Sequence, residues 1–239
     1  MPDHALDPLL KPRSIALLGA SAKQGSPGHI LSKMVFDSDY SGRAYAVNPR
    51  YDAIGDRPCY NNLTELPETV DHVVLAVGNE NLQQALQDAI VHGARAATIY
   101  SSCYLDNDTQ PPLKTRLSEM AIQAGIAICG GNGMGFYNVS DSLYAGIFPK
   151  PGHINRGGIS YIAQSGSAFT TLPHNGNRLN FNLCVSSGNE MVTTVADYMD
   201  WSVDQDDTRV IALFLEAVRD AAERVPPSRD RTRVLAAPA

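Results

Sequence analysis

Short apolar runs alternate with stretches of helical period along most of this chain. Ser14-Ile-Ala-Leu-Leu18 has the continuous apolar character of a parallel strand covered on both faces. After it, Ile30, Leu31, Met34 and Val35 recur at the spacing of one helix face, and that helix is expected to start near Gly28. Gly42-Arg-Ala-Tyr-Ala-Val47 reads as a second strand, residues 71–77 as a third, 79–92 as a helix, 95–100 as a fourth strand, 112–124 as a helix and 126–129 as a fifth strand. Strand and helix in alternation, joined by short loops, predict an α/β unit over residues 12–148: a Rossmann-like parallel sheet with right-handed crossovers. Residues 1–13 form a proline-punctuated lead-in with one helical turn near 5–10, and no chemistry is assigned to it.

Lys150-Pro-Gly-His-Ile-Asn-Arg-Gly-Gly158 carries the prolines and glycines common at a domain junction, and beyond it the alternation restarts. Expected there are a strand at 159–163, a helix opened by Gln164-Ser-Gly-Ser167, a strand at 180–185, a helix at 191–201 and a strongly apolar strand at 208–215 that ends directly on Glu216. Residues 217–223 have helical character, so Glu216 also suits the first turn of a helix, where the dipole favours a carboxylate. The tail VPPSRDRTRVLAAPA, with three arginines and three prolines, is expected to add little core. The second unit, 155–239, therefore reads as a partial α/β domain with uncovered apolar sheet, which leads us to expect a homo-oligomer.

At 239 residues and 44% hydrophobic content the chain can bury the core of two modest domains. Its formal net charge is −6 with no long block of Lys and Arg, which removes the electrostatic basis for nucleic-acid or anionic-membrane binding. No uncharged apolar run is long enough to span a bilayer and the N-terminus has no signal-like apolar stretch, so neither a membrane nor an exported role is expected. Cys59, Cys103, Cys129 and Cys184 are far apart and match neither a disulfide framework nor a C-x-x-C pair, which suits reduced thiols in a cytoplasm. His29, His72, His92, His153 and His174 show no metal-ligand spacing, so no metal site is expected.

The chemistry concentrates at strand ends. Gly19, Gly25 and Gly28 in GASAKQGSPGH let backbone approach a ligand closely, and the following helix start would meet a diphosphate with its dipole and its unpaired N–H groups. The spacing is neither G-x-G-x-x-G nor G-x-x-x-x-G-K-[ST]. After the second strand, Asn48 and Arg50 stand where a NAD-type fold has an acid for the ribose hydroxyls, which suggests a phosphorylated ribose, the alternative being an arginine that is simply solvent-exposed. Gly130-Gly-Asn-Gly-Met-Gly135 follows the fifth strand and reads as backbone close to a ligand or as a flexible turn. Ser165 lies in Q-S-G-S, which lacks the G-x-S-x-G elbow of a serine hydrolase.

Taken in order, Gly19-Ala-Ser21, Val47-Asn-Pro-Arg-Tyr51, Gly131-Asn-Gly-Met-Gly-Phe-Tyr-Asn138, Gln164-Ser-Gly166, Val185-Ser-Ser-Gly-Asn189 and Leu213-Phe-Leu-Glu216 resemble the NDP-forming acyl-CoA synthetases, relatives of the succinyl-CoA synthetase alpha subunit. The resemblance implies coenzyme A as cofactor, a CoA-binding Rossmann domain, a flavodoxin-like ligase domain with a phosphohistidine, and a further ligase and ATP-grasp unit. It implies that Gly19, Ala20 and Ser21 hold the CoA diphosphate, that Pro49 and Arg50 lie by its adenosine end, that Val77 and Gly78 flank it, and that Asn132 and Gly133 approach the pantetheine thiol. By the same resemblance Ser165 and Gly166 steady the phosphohistidine and Glu216 orients it. The family's G-P-N-C-x-G turn is Gly130-Gly-Asn-Gly-Met-Gly135 here. Its histidine normally follows the Glu216 strand in an S-H-T-G or S-H-S-G turn, whereas no histidine follows His174 in this chain.

The expectation is thus a portion of an acid-thiol ligase that binds CoA or acyl-CoA and needs a missing ligase or ATP-grasp subunit for turnover. The alternatives are a stand-alone CoA-sensing or interaction module, and an NAD(P)-dependent Rossmann oxidoreductase.

Overall fold

In the computed structural model of the chain, residues 4–152, 154–174, 178–217 and 233–238 are described. A single helical turn, α1 (Asp7–Leu10), precedes β1 (Ser14–Leu18), α2 (Pro27–Phe36), β2 (Arg43–Val47), two short strands β3 (Ala53–Ile54) and β4 (Arg57–Tyr60), β5 (His72–Leu75), α3 (Asn79–His92), β6 (Ala96–Ile99), α4 (Leu113–Ala124) and β7 (Ala127–Gly130). These strands form one sheet in the order β3-β4-β2-β1-β5-β6-β7. All neighbours are parallel except β3 and β4. Without β3 the order is the 3-2-1-4-5-6 of a doubly wound dinucleotide-type fold, which reverses direction between β1 and β5. Every strand expected in this part is present. β5 and β6 are buried along their whole length, which is why unbroken apolar runs marked them.

The second sheet is built by β8 (Gly135–Asn138), β9 (Leu143–Gly146), β10 (Arg156–Ala163), α5 (Gly166–Thr171), β11 (Phe181–Ser186), α6 (Val195–Val203), β12 (Val210–Leu215) and β13 (Arg233–Pro238). Its order is β13-β12-β10-β11-β8-β9. The four strands β10 to β13 are parallel in the 2-1-3-4 arrangement of a flavodoxin-like sheet, and the antiparallel pair β8 and β9 extends the β11 edge.

Two parts of this sheet differ from expectation. Residues 135–146 carry no regular structure in the sequence-based reading, yet they form two fully buried strands of the second sheet. The chain therefore changes sheets between Gly130 and Gly135, ahead of the limit expected near 148. Residues 233–238, expected to be irregular, form β13, paired along the whole of β12 from Val210↔Arg233 to Leu215↔Pro238. The β12 edge is thus occupied. The helix expected over 217–223 lies outside the described residues from 218 onward. α6 begins at Val195, four residues later than its apolar period suggests. Thr194 and Asp197 form a capping box there: the Thr194 N–H donates to Asp197 Oδ2 (2.7 Å) and the Asp197 N–H to Thr194 Oγ1 (3.4 Å).

The lead-in joins the two sheets. Leu9 and Leu10 are fully buried, and α1 packs on β6 and β7. Burial of this kind is worth about 2 kcal/mol per leucine. From the second sheet, Asn138 Nδ2 donates to the Leu10 carbonyl (2.8 Å) and Trp201 Nε1 to Asp7 Oδ1 (2.9 Å). A single apolar cluster contains Leu9, Ile15 and Leu31 together with Phe136, Leu183 and Trp201. At the same junction the buried His72 ring of β5 stacks on Phe136 of β8, with centroids 5.8 Å apart, while its Nε2 lies 2.9 Å from Thr98 Oγ1. Burial depresses the His72 pKa to about 3, against the opposing pull of Asp71. Asp71 accepts from the Arg13 N–H (2.8 Å) and side chain and from Arg95 Nη2 (3.0 Å). Its burial would raise its pKa, but these donors outweigh that and hold the carboxyl at about 2. None of the described helices is long and apolar enough to cross a membrane.

Candidate functional site

Where strand order reverses, the C-terminal ends of β1 and β5 open a crevice of about 790 Å³. That size lies within the roughly 300–1,000 Å³ usual for small-molecule and cofactor sites. The turn from β1 to α2 forms one wall; the segments after β2 and β5 form the others. α2 starts on Ser26, whose Oγ accepts the His29 N–H (3.2 Å), with Pro27 in the first helical position. Pro27 has no N–H and those of His29 and Ile30 are taken by Ser26, so the start of α2 offers the crevice its positive dipole end and the Gly28 N–H. A Cβ on Gly19, where φ is +97°, would stand 2.4 Å from the Ala76 carbonyl oxygen, and one on Gly28 would stand 2.1 Å from the Gly19 carbonyl oxygen. These two glycines are demanded by the packing of the turn against β5 and of α2 against the turn, a tighter requirement than ligand approach alone.

Asn48 ties two walls together: its Nδ2 donates to the Ala20 carbonyl (2.7 Å) and its Oδ1 accepts the Arg50 N–H (3.0 Å). The Lys23 and Arg50 side chains are exposed at the rim, and neither forms an ion pair among the described residues. Ser21 Oγ lies 3.3 Å from the Tyr51 hydroxyl. Further in, Ser101 Oγ donates to the Val77 carbonyl (2.6 Å). A second cavity of about 360 Å³ adjoins the crevice, sharing Pro27, Tyr100 and Ile147 in its walls, and is lined further by Gly133 and Met134. Cys103 and Cys129 near this inner end are pushed up to about 11 by burial, so both are protonated at neutral pH and are poor nucleophiles.

Of the residues picked out in the sequence, Gly19, Ser21, Pro49, Arg50, Val77 and Gly78 line the crevice together. Ala20 is fully buried and takes part through its carbonyl. Gly133 lines the second cavity. Asn132 is exposed, lines neither cavity, and donates its N–H to the Ser101 carbonyl (2.8 Å). Ser165 caps α5 by accepting the Ala168 N–H (3.4 Å), and Gly166 sits against Met134, where a Cβ would be 2.7 Å from Cε. Glu216 lies at the end of β12 with its side chain exposed. His174 Nδ1 donates to the Thr170 carbonyl (2.7 Å).

Gln164 was missed as a site residue. Its buried amide accepts from the Glu216 and Ala217 N–H groups (2.8 and 2.9 Å), and donates to the Ala217 carbonyl (2.9 Å) and to Glu190 Oε1 (3.0 Å). It thereby fixes the backbone on which Glu216 stands. The sequence carries it only as the first residue of the Gln164-Ser-Gly166 motif, directly after an apolar strand. Lys23, a lone cation in the turn itself, was passed over in the same way.

Residues 13–138 match the CoA-binding domain family, and residues 156–229 match the succinyl-CoA ligase like flavodoxin domain. The chain is 28% identical over 223 residues to an ADP-forming acetate–CoA ligase of Methanocaldococcus jannaschii, an alignment that covers 91% of this chain and 30% of that one. It is 28% identical over 227 residues to the alpha subunit of ADP-forming acetate–CoA ligase I of Pyrococcus furiosus, covering 90% and 48%. The apo structure of the dinucleotide forming acetyl-coenzyme A synthetase 1 of Ca. Korarchaeum cryptofilum superposes with a TM-score of 0.88 at 23% identity, over 98% of this chain and 52% of that one, a likeness of fold. The chain spans between about a third and a half of the length of these relatives. The strand order, the crevice at its reversal and the match over residues 13–138 agree: the chain belongs to the CoA-binding domain family and continues into a succinyl-CoA ligase-like flavodoxin domain, as the NDP-forming acyl-CoA synthetases do.

Proposed function

We propose that this chain is the CoA-holding portion of an NDP-forming acyl-CoA synthetase, an acid-thiol ligase. The observation that carries the reading is a pair of adjoining cavities of unlike character: a crevice whose rim bears Lys23 and Arg50, without ion pairs among the described residues, beside a helix start, and a second cavity whose described lining is uncharged. CoA has the same asymmetry, with its phosphates at one end and its thiol at the other. In this reading the diphosphate lies at the start of α2 beside Gly19, Ala20 and Ser21, where an anion gains from dipole and N–H donors alike. Pro49 and Arg50, joined by Lys23, serve the adenosine end; Val77 and Gly78 flank the pantetheine, and Gly133, with Asn132 beside it, serves the thiol end. Ser165, Gly166 and Glu216 serve a phosphohistidine supplied from outside residues 1–239, together with a ligase or ATP-grasp partner. The setting is cytoplasmic, and the chain self-associates.

Isothermal titration of the purified chain with CoA and with NADH tests the reading. CoA is expected to bind with a Kd on the order of micromolar, and NADH more weakly, because Asn48 and Arg50 occupy the end of β2 where an acid would serve an NAD ribose. Tighter binding of NADH than of CoA would reverse the assignment. The isolated chain is expected not to form acyl-CoA from ATP or GTP, CoA and acids. Acid-labile label from radioactive nucleotide on any of its histidines would refute that part.

A further inference from the structure

We propose that the smaller cavity is the acyl pocket of this site, shaped for an uncharged apolar acyl group well beyond acetyl in size, an aromatic acid among them, and unsuited to a dicarboxylate. This inference rests on the CoA reading above and adds the substrate class to it. Adjacency comes first: the cavity shares Pro27, Tyr100 and Ile147 with the walls of the crevice and Gly133 lines it, so a group attached to a thiol that reaches Gly133 meets this space. Size comes second. At about 30 Å³ per water-sized group, 360 Å³ has room for roughly ten heavy atoms, several times the three of an acetyl group.

The lining decides the chemistry. Ile30, Met134, Ile147 and Phe148 supply its side-chain surface with the two prolines, and among the described residues no Asp, Glu, Lys, Arg or His lines it. Its one phenol, on Tyr100, already donates to the Ala145 carbonyl at 2.8 Å. The second carboxylate of a succinyl group would enter without a partner, and a buried charge without a partner is strongly disfavoured. Phe148, one of the lining side chains, is 46% exposed. A ring or chain bound beside it would remove part of that surface from water. Met134 forms the inner wall, and its flexible thioether suits a site that takes more than one apolar shape.

Titration of the purified chain with CoA, acetyl-CoA, succinyl-CoA, hexanoyl-CoA and benzoyl-CoA reads the pocket directly. Each methylene withdrawn from water is worth about fourfold in affinity. Hexanoyl- and benzoyl-CoA should therefore bind at least tenfold tighter than acetyl-CoA, and succinyl-CoA no tighter than acetyl-CoA. Ile30→Trp, which fills the cavity from α2, should reduce the benzoyl-to-acetyl preference to near one. Phe148→Ser, at a partly exposed position, should lower the same preference severalfold. A ratio taken within one variant does not depend on how much of that variant is folded. Equal affinities across the series, or a preference for succinyl-CoA, would overturn the acyl pocket and leave the CoA reading intact. Failure of every CoA species to bind would overturn both.

Discussion

Replacing Gly19 by alanine separates two demands that the β1–α2 turn makes on its sequence. Gly19 and Gly25 both have positive φ, +97° and +75°. A Cβ on Gly25 meets nothing within 4 Å, whereas one on Gly19 would lie 2.4 Å from the Ala76 carbonyl oxygen and 2.9 Å from its carbon. Either substitution places an L-residue in left-handed backbone, at about 1–2 kcal/mol. Only Gly19→Ala adds a collision, and the atom struck is backbone just beyond a central strand, which cannot rotate away. Overpacking of that kind costs about 1–3 kcal/mol. Gly25→Ala is thus expected to lose about 1–2 kcal/mol and Gly19→Ala about 2–5 kcal/mol, set against the roughly 5–15 kcal/mol that keeps a domain folded. Urea unfolding followed by far-ultraviolet circular dichroism gives the difference as a shift in midpoint at constant slope. Relief of the collision spreads the turn away from β5, so CoA affinity should fall at least tenfold for Gly19→Ala and less than threefold for Gly25→Ala. Equal urea midpoints for the two variants would refute the argument that the turn is packed against Ala76.

Arg50→Glu should weaken CoA binding about fivefold or more at low salt, with the difference shrinking as ionic strength rises, because the guanidinium is exposed at the rim and screened; titrations at two salt concentrations check this. Asp71 has a folded pKa depressed to about 2 against about 3.9 unfolded, so its contribution is present above pH 4 and lost as pH falls from 4 to 2. Asp71→Asn should lower stability at pH 7 by roughly 2 kcal/mol and flatten the unfolding curve over that acid range. His72, depressed to about 3 from about 6.5, is charged in the unfolded chain first, so stability should fall as pH drops from 6.5 toward 3. Unfolding free energies from urea curves at pH 7 and 5 should differ in the native protein by roughly 2 kcal/mol more than in His72→Gln.

The parallel strands were legible because burial on both faces leaves an unbroken apolar run, as in β1, β5 and β6. The same rule hid β8 and β9. Phe136, Tyr137, Tyr144 and Ala145 are all buried, but Gly135 and Gly146 bracket them and the four glycines from 130 to 135 pointed to a turn. β3 and β4 are short, partly polar and at the sheet edge, where periodicity has little to show. β13 carries an arginine and a proline, and its place follows from pairing with β12, a tertiary fact that no local propensity reports. At the site, glycine and cation positions at strand ends were readable from the chain. The roles of Gln164 and Tyr100 were not, because the backbone groups they bond, at Glu216 and Ala145, lie 52 and 45 residues away.

The lead-in has a further bearing on how this protein can be divided. The stretch that matches the CoA-binding domain family starts at residue 13 and stops at 138. A fragment cut to those limits would lose Leu6, Leu9 and Leu10, which are buried in the cluster shared by both sheets, and would leave β8 without the β11 neighbour it bonds to. What sequence comparison treats as a transferable module is therefore smaller than what must fold together. A chimera that imports residues 13–138 into another ligase imports an unfinished core, and it will hold CoA only if the host supplies both a substitute for α1 and a strand for β8.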